Sequence, residues 1–162
     1  MTATSVPNGP PLSGFANQVN DLAFSPDGRR RAVAGLDGTG SIWSLDGSPP
    51  IGQPIYGHGN AVVASMATHD GQTLLTASFD GLVMARATTT GAMRWSTDIG
   101  EPIWSAALDP TGTRLAVGGA NGQLVVLDVT SGSPLHAPTR FPSAVEALAW
   151  SPTAPLLAVA AD

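Results

Sequence analysis

The stretch from residue 71 to residue 95, GQTLLTASFDGLVMARATTTGAMRW, decides the fold. It reads as a short strand over 72–78, a tight turn at Asp80-Gly81, a second strand over 82–87, a turn at Thr90-Gly91 and a last strand running through Trp95. An Asp-Gly pair between two apolar runs supplies the positive φ angles of a two-residue hairpin loop, so the flanking strands pair antiparallel. Moving outward, the distance from the glycine that opens the first strand to the Asp or Asn of the turn recurs. Gly28 to Asp37, Gly71 to Asp80 and Gly112 to Asn121 are each nine residues apart.

A second set of anchors lies just upstream, where a turn joins each unit's first strand to its second. These are Ser25-Pro26-Asp27-Gly28, Thr68-His69-Asp70-Gly71, Asp109-Pro110-Thr111-Gly112 and Ser151-Pro152-Thr153-Ala154, with starts 43, 41 and 42 residues apart. In the first of them Pro26 presets the torsion of a type I turn and Gly28 closes it. A period of about 40 to 45 residues with several short strands per unit marks the blades of a β-propeller.

The expected fold is therefore all-β: blades of four antiparallel strands, about three complete and a fourth partial, as an open arc or as part of a larger propeller. Residues 1–8 read as a disordered start or linker remnant, and 9–162 as the propeller segment, with units near 9–57, 58–98, 99–140 and a truncated 141–162. Strands are expected over 19–24, 30–35, 40–45 and 53–56 in the first unit and over 62–67, 73–78, 82–87 and 93–96 in the second. The third unit places them over 103–108, 114–119, 123–128 and 135–137, and the fourth over 145–150 and 155–161. Proline cannot donate to a ladder, so Pro11, Pro54 and Pro134 put each unit's last strand at the sheet edge. The second strands, such as Leu74-Leu75-Thr76-Ala77 and Leu115-Ala116-Val117-Gly118, are nearly continuous apolar runs, which suits sheets covered on both faces. A blade leans on its neighbours, so an arc of three and a half leaves apolar faces open. A fragment of a longer propeller is the expectation, and self-association of the piece by itself.

Composition narrows the partners. The chain is 43% hydrophobic and 12% charged, which excludes disorder. Its net charge of -5, with seven arginines and no lysine, offers no basic stripe to neutralise phosphates, so neither nucleic acid nor an anionic membrane is an expected partner. Without cysteine there is no disulfide framework or thiolate metal site. No apolar run approaches the roughly 20 residues that span a bilayer, and residues 1–11 have neither a basic start nor an apolar stretch. A cytoplasmic location is expected, and arginine without lysine beside abundant Ala and Gly suggests a bacterial coding sequence.

The residues that carry chemistry elsewhere do not gather here. His58, His69 and His136 fall at three different phases of the repeat, so no shared metal or catalytic cluster is expected. There is no phosphate loop, nucleophile elbow or spaced pair of carboxylates, and Glu101 and Glu146 are the only glutamates. Arg29-Arg30-Arg31 reads as a solvated face. No catalytic residue, cofactor or metal is assigned.

At Gly57-His58, the Asp37-Gly38 and Asp80-Gly81 turns, Ser25-Pro26-Asp27-Gly28 and Trp43, the sequence resembles the WD-repeat family of β-propellers over nearly all of 9–162. The match is degenerate. The family's Trp-Asp pair falls at Trp43-Ser44, Arg86-Ala87 and Leu127-Asp128, so no unit holds both residues. In the family a His, a strand Ser or Thr, the turn Asp and the Trp form a buried hydrogen-bonded tetrad. The resemblance gives structural roles to His58, Ser78 and Asp80, with Arg86 in the Trp position, and to Asp37 and Trp43. Thr90-Gly91-Ala92-Met93-Arg94-Trp95 looks like the tryptophan-docking motif of pyrroloquinoline-quinone propellers; its plainer reading is an aromatic filling an outer-strand gap.

The resemblance also implies a function. Propellers of this family dock proteins or peptides on the face that bears the loops into each first strand and the second-to-third-strand turns. That places Asn20, Val63, Trp104 and Glu146, with Leu36, Phe79 and Ala120, on the candidate face. Phe79 and Trp104 lead because exposed aromatics anchor interfaces, burial between blades being their plainer reading. The expected function is a non-enzymatic scaffold for a protein or peptide partner, such as an assembly or sensing arm of a larger bacterial protein. The alternative is part of a propeller enzyme, quinoprotein-like or hydrolase, whose active site lies in other blades.

Overall fold

The computed structural model describes residues 17–24, 28–45 and 56–161. Four antiparallel sheets follow one another along the chain. The first holds β1 (Val19–Phe24), β2 (Arg30–Gly35) and β3 (Gly40–Ser44). The second holds β4 (Val62–Ala67), β5 (Thr73–Ser78), β6 (Leu82–Ala87) and β7 (Met93–Asp98), and the third β8 (Ile103–Leu108), β9 (Arg114–Gly119), β10 (Gln123–Asp128) and β11 (Thr139–Arg140). The fourth pairs β12 (Val145–Trp150) with β13 (Leu157–Ala161). Each sheet is a meander in sequence order, and β1, β4, β8 and β12 pack side by side as the inner strands. The architecture is that of propeller blades, not closed into a ring among the described residues.

The strand bounds coincide with the expected ones at every first and second strand except the last, because turn chemistry fixes where each hairpin begins. The outer strand of the third blade differs. It was expected over 135–137 but forms at Thr139–Arg140, with a lone bridge between Leu127 and Pro134. Pro134 and Pro138 both lack an N–H, so the ladder against β10 holds only at its two ends. The segment 1–8, the strand around Pro11 and the 25–27 turn lie outside the described residues. So does the strand expected over 53–56 except for Tyr56, which lies in a loop.

Every residue of β5 is buried, which is what a sheet sandwiched between two others requires. Its alternate side chains serve different joints. Leu75 and Ala77 pack with Ile103, Leu115 and Val117 of the third blade, while Leu74 packs with Ala32 and Ile42 of the first. Truncating a leucine as buried as Leu75 to alanine costs about 2–5 kcal/mol. Small residues set the spacing: a Cβ on Gly40 would press on Thr76 and Leu74, and one on Gly118 on Val145.

Hydrogen bonds cross the joints at several heights. Between the first two blades, Asn20 Nδ2 donates to the Val62 carbonyl (3.1 Å), the Ser65 N–H donates to Asp21 (2.9 Å) and Arg30 donates to the Gly71 carbonyl (2.7 Å). Between the last two, Ser105 Oγ donates to the Val145 carbonyl (2.7 Å) and Trp150 Nε1 to the Ala107 carbonyl (3.0 Å). The Arg114 guanidinium, held by Asp109 at 3.0 Å, lies 4.5 Å over the Trp150 ring. No helix of the described residues is long and apolar enough to cross a membrane.

Candidate functional site

All four inner strands break register at the same place. Val19 pairs with Gly35 and Asp21 with Ala34, which leaves Asn20 unpaired, and the same slip falls between Val62 and Ala64, Ile103 and Ser105, and Val145 and Ala147. The extra residues are Asn20, Val63, Trp104 and Glu146. A bulge bends its strand and re-aims the side chain it carries, so the four form an in-phase row from blade to blade. Across from them, the N–H groups of Leu36, Phe79 and Ala120 donate to the carbonyls of Gln18, Ala61 and Pro102 at 2.8–3.0 Å. Each of the first three blades thus brings a bulge residue and a turn residue to one end, the upper end, where the β2–β3, β5–β6 and β9–β10 turns lie.

Exposure separates these residues. Trp104 is 45%, Leu36 41% and Phe79 37% exposed, so Phe79 and Trp104 reach solvent instead of filling the joints. Asn20 and Glu146 are exposed, although Asn20 also holds the next blade through Val62. Val63 is half-buried and packs against the core between the second and third blades. The resemblance to the WD-repeat family pointed to these positions but not to the bulges, since register is set by pairing and not by any residue type at the slip.

The second blade carries a buried polar cluster at the same end. His58 Nδ1 lies 3.0 Å from Asp80 Oδ2 and its Nε2 lies 2.8 Å from Thr76 Oγ1, with only 2% of the His58 side chain exposed. A carboxylate only accepts, so the proton sits on Nδ1 and Nε2 accepts from the Thr76 hydroxyl. Burial pushes the imidazole below the usual histidine value despite the opposing Asp80 carboxylate, leaving it neutral at pH 7. Burial alone would raise Asp80, but the N–H groups of Leu82 and Gly59, together with His58, hold it below the usual carboxylate range.

The hydroxyl that meets His58 is that of Thr76, not Ser78. With Nδ1 fixed on Asp80, the opposite ring nitrogen lands one pleat deeper in β5. Ser78 instead donates to the Asn60 carbonyl and accepts from the Asp80 N–H, both at 3.1 Å, so it braces the turn. Arg86 donates to the Gly91 carbonyl at 3.1 Å, while its Nε is buried without a partner. In the first blade Asp37 caps its own turn through the N–H and hydroxyl of Thr39, and Trp43 Nε1 donates to Ser41 Oγ at 3.0 Å.

The third blade inverts the device. Glu101, in the loop before β8, reaches into the β9–β10 turn and accepts from the N–H groups of Asn121 (2.9 Å) and Gln123 (3.0 Å). In the second blade the carboxylate comes from the turn and reaches out to the loop; in the third it comes from the loop and reaches into the turn. Sequence reasoning noted Glu101 only as a rare glutamate, because a device that swaps its two ends leaves no marker in phase.

Trp95 does more than fill a gap. Its Nε1 donates to the Val129 carbonyl of the next blade at 2.9 Å, and its ring lies against Gly132, where a Cβ would collide with it. Thr97 adds a bond to the Gly132 carbonyl at 2.7 Å. The outer strand of the second blade is thereby docked on the β10–β11 turn of the third. Among the described residues no group of three or more His, Cys, Asp or Glu could hold a metal ion.

Comparison with known proteins agrees with this geometry. Residues 9–44 match the family model described as "WD domain, G-beta repeat". The chain is 26% identical over 138 residues to the human U3 small nucleolar RNA-associated protein 4 homolog, covering 83% of this chain and 20% of that protein. It is 24% identical to the Arabidopsis thaliana THO complex subunit 3, covering 85% and 45%, and 30% identical to mouse telomerase protein component 1, covering 89% and 6%. The chain therefore spans less than half the length of these relatives. The crystal structure of the computationally designed Ika4 protein superposes with a TM-score of 0.80 at 22% identity, covering 95% of this chain and 91% of that one, which shows the shared fold.

Proposed function

Because this chain belongs to the WD-repeat family, we propose that it is a non-enzymatic scaffold whose upper end docks a protein or peptide partner. The observation that carries this is the in-phase row of bulges, which presents Asn20, Val63, Trp104 and Glu146 at one end beside the exposed Leu36 and Phe79. Exposed aromatics at re-aimed positions suit an interface, where large rigid side chains anchor most of the binding energy. Two relatives are named for assemblies, a THO complex subunit and a telomerase protein component, which supports a role in assembly. A cytoplasmic assembly or sensing arm of a larger bacterial protein fits the lysine-free composition.

The enzyme alternative draws no support from Trp95, whose ring and N–H are fully engaged in joining two blades. The test is a double substitution, Phe79→Ala with Trp104→Ala, in an affinity capture. Capture of the native partner should fall at least about tenfold, as loss of two aromatic anchors implies, with the melting temperature unchanged within a few degrees. Undiminished capture would remove the upper end from the interface.

A further inference from the structure

The blades sort arginine by end, whereas carboxylates lie at both, Asp70, Asp109 and Asp128 being at the lower end. Strand direction places Arg29, Arg30, Arg31, Arg86, Arg94 and Arg114 at the lower end, where the first strand of each blade turns into the second. Of the seven arginines only Arg140 lies at the upper end, and its guanidinium is turned to Gln123 at 2.8 Å. Asp37, Asp80, Asp98, Glu101 and Glu146 all lie at the upper end. Asp37, Asp98 and Glu146 among them are exposed. The upper end, which exposes Phe79 and Trp104, is thus negative on balance, while arginines outnumber acids at the lower end among the described residues.

The same joint shows what such a face accepts. At its lower end, between the third and fourth blades, a guanidinium stacks on a tryptophan while a carboxylate holds it, in the Asp109–Arg114–Trp150 arrangement. At its upper end, Trp104 and Glu146 occupy the same bulge position on adjacent inner strands β8 and β12, and both are exposed. The indole and the carboxylate of the lower arrangement thus recur there on neighbouring strands.

We propose that the upper end selects a partner segment carrying arginine together with apolar side chains, with an arginine seated on Trp104 beside Glu146 and apolar groups against Phe79 and Leu36. This rests on the docking role of the upper end and specifies its chemistry. Arginine suits the site better than lysine because its planar guanidinium can stack on the indole and pair with the carboxylate at once. The surrounding negative charge steers such a segment in at low salt.

Fluorescence anisotropy with fluorescein-labelled synthetic peptides tests this on the whole chain. One peptide alternates Arg with Leu, a second Lys with Leu and a third Glu with Leu. The Arg/Leu peptide should bind at least about tenfold tighter than the Glu/Leu one, weaken with salt, and bind a few-fold tighter than the Lys/Leu one. Trp104→Ala and, separately, Glu146→Gln should each weaken it several-fold, whereas Asp70→Asn at the lower end should not, all four proteins giving the same circular dichroism spectrum and melting temperature. If Arg/Leu and Glu/Leu bind alike and both are lost with Trp104→Ala, the docking face stands and its charge selection fails. If no peptide binds, or binding ignores Trp104 and Phe79, the inference and the docking role fall together.

Discussion

His58 and the Thr76 hydroxyl both keep their hydrogen bonds while the imidazole is neutral. Protonation turns Nε2 into a second donor and leaves the Thr76 hydroxyl proton to find another acceptor in a buried site. Its value is lowered in the folded chain, so below the usual histidine value of 6.5 the unfolded chain binds more protons than the folded one. The stability His58 contributes is therefore complete above that pH and is lost as pH falls toward the folded value. Asp80 is also lowered and adds a second loss at more acidic pH, as its carboxylate protonates. Thermal melts between neutral and mildly acidic pH should show a steeper fall for the native chain than for His58→Gln, and parallel profiles would contradict this. Truncation to His58→Ala strands Thr76 and part of Asp80, and should cost about 1–3 kcal/mol by chemical denaturation. At this scale Asp80 was legible from its hairpin turn, and the role of His58 only from the resemblance to the WD-repeat family. Thr76 was not, because which hydroxyl a ring reaches depends on the depth of the pleat.

Blade elements join through contacts that differ from joint to joint, and the joint of the second and third blades adds an outer-strand contact to its apolar core. Trp95→Phe keeps the ring over Gly132 but loses the bond to Val129, so it should cost about 1 kcal/mol. Trp95→Ala also opens a void against the turn and should cost about 2–4 kcal/mol. Equal losses for the two would mean that the ring contributes nothing to the joint. Gly132→Ala should be as harmful as Trp95→Ala, since Gly132 has a φ of 73° and its Cβ would meet the indole. Urea denaturation of the three variants checks the order. The docking geometry of Trp95 was in the sequence only as a short motif in one unit, because its receptor, Gly132, lies a whole blade away.

At the scale of the whole molecule, the described blades form an open arc with exposed sides. Leu22 and Phe24 of the first blade and Leu156 beside the fourth are 45%, 61% and 66% exposed, so the 162-residue chain in isolation should self-associate. Sedimentation velocity at rising concentration should show species heavier than 16.4 kDa, and a monodisperse monomer would contradict it. The amino-acid sequence by itself determined the repeat, the all-β class and nearly every inner and second strand. Those follow from glycine, proline and Asp-Gly turns, whose steric demands are local and recur in phase. Only the tertiary structure decided where the bulges fall, that Trp104 and Phe79 face water, that Glu101 takes over the third turn, and that six of the seven arginines gather at the lower end. Each of these depends on strand register and direction, which arise when blades pair and stack and are carried by no single residue.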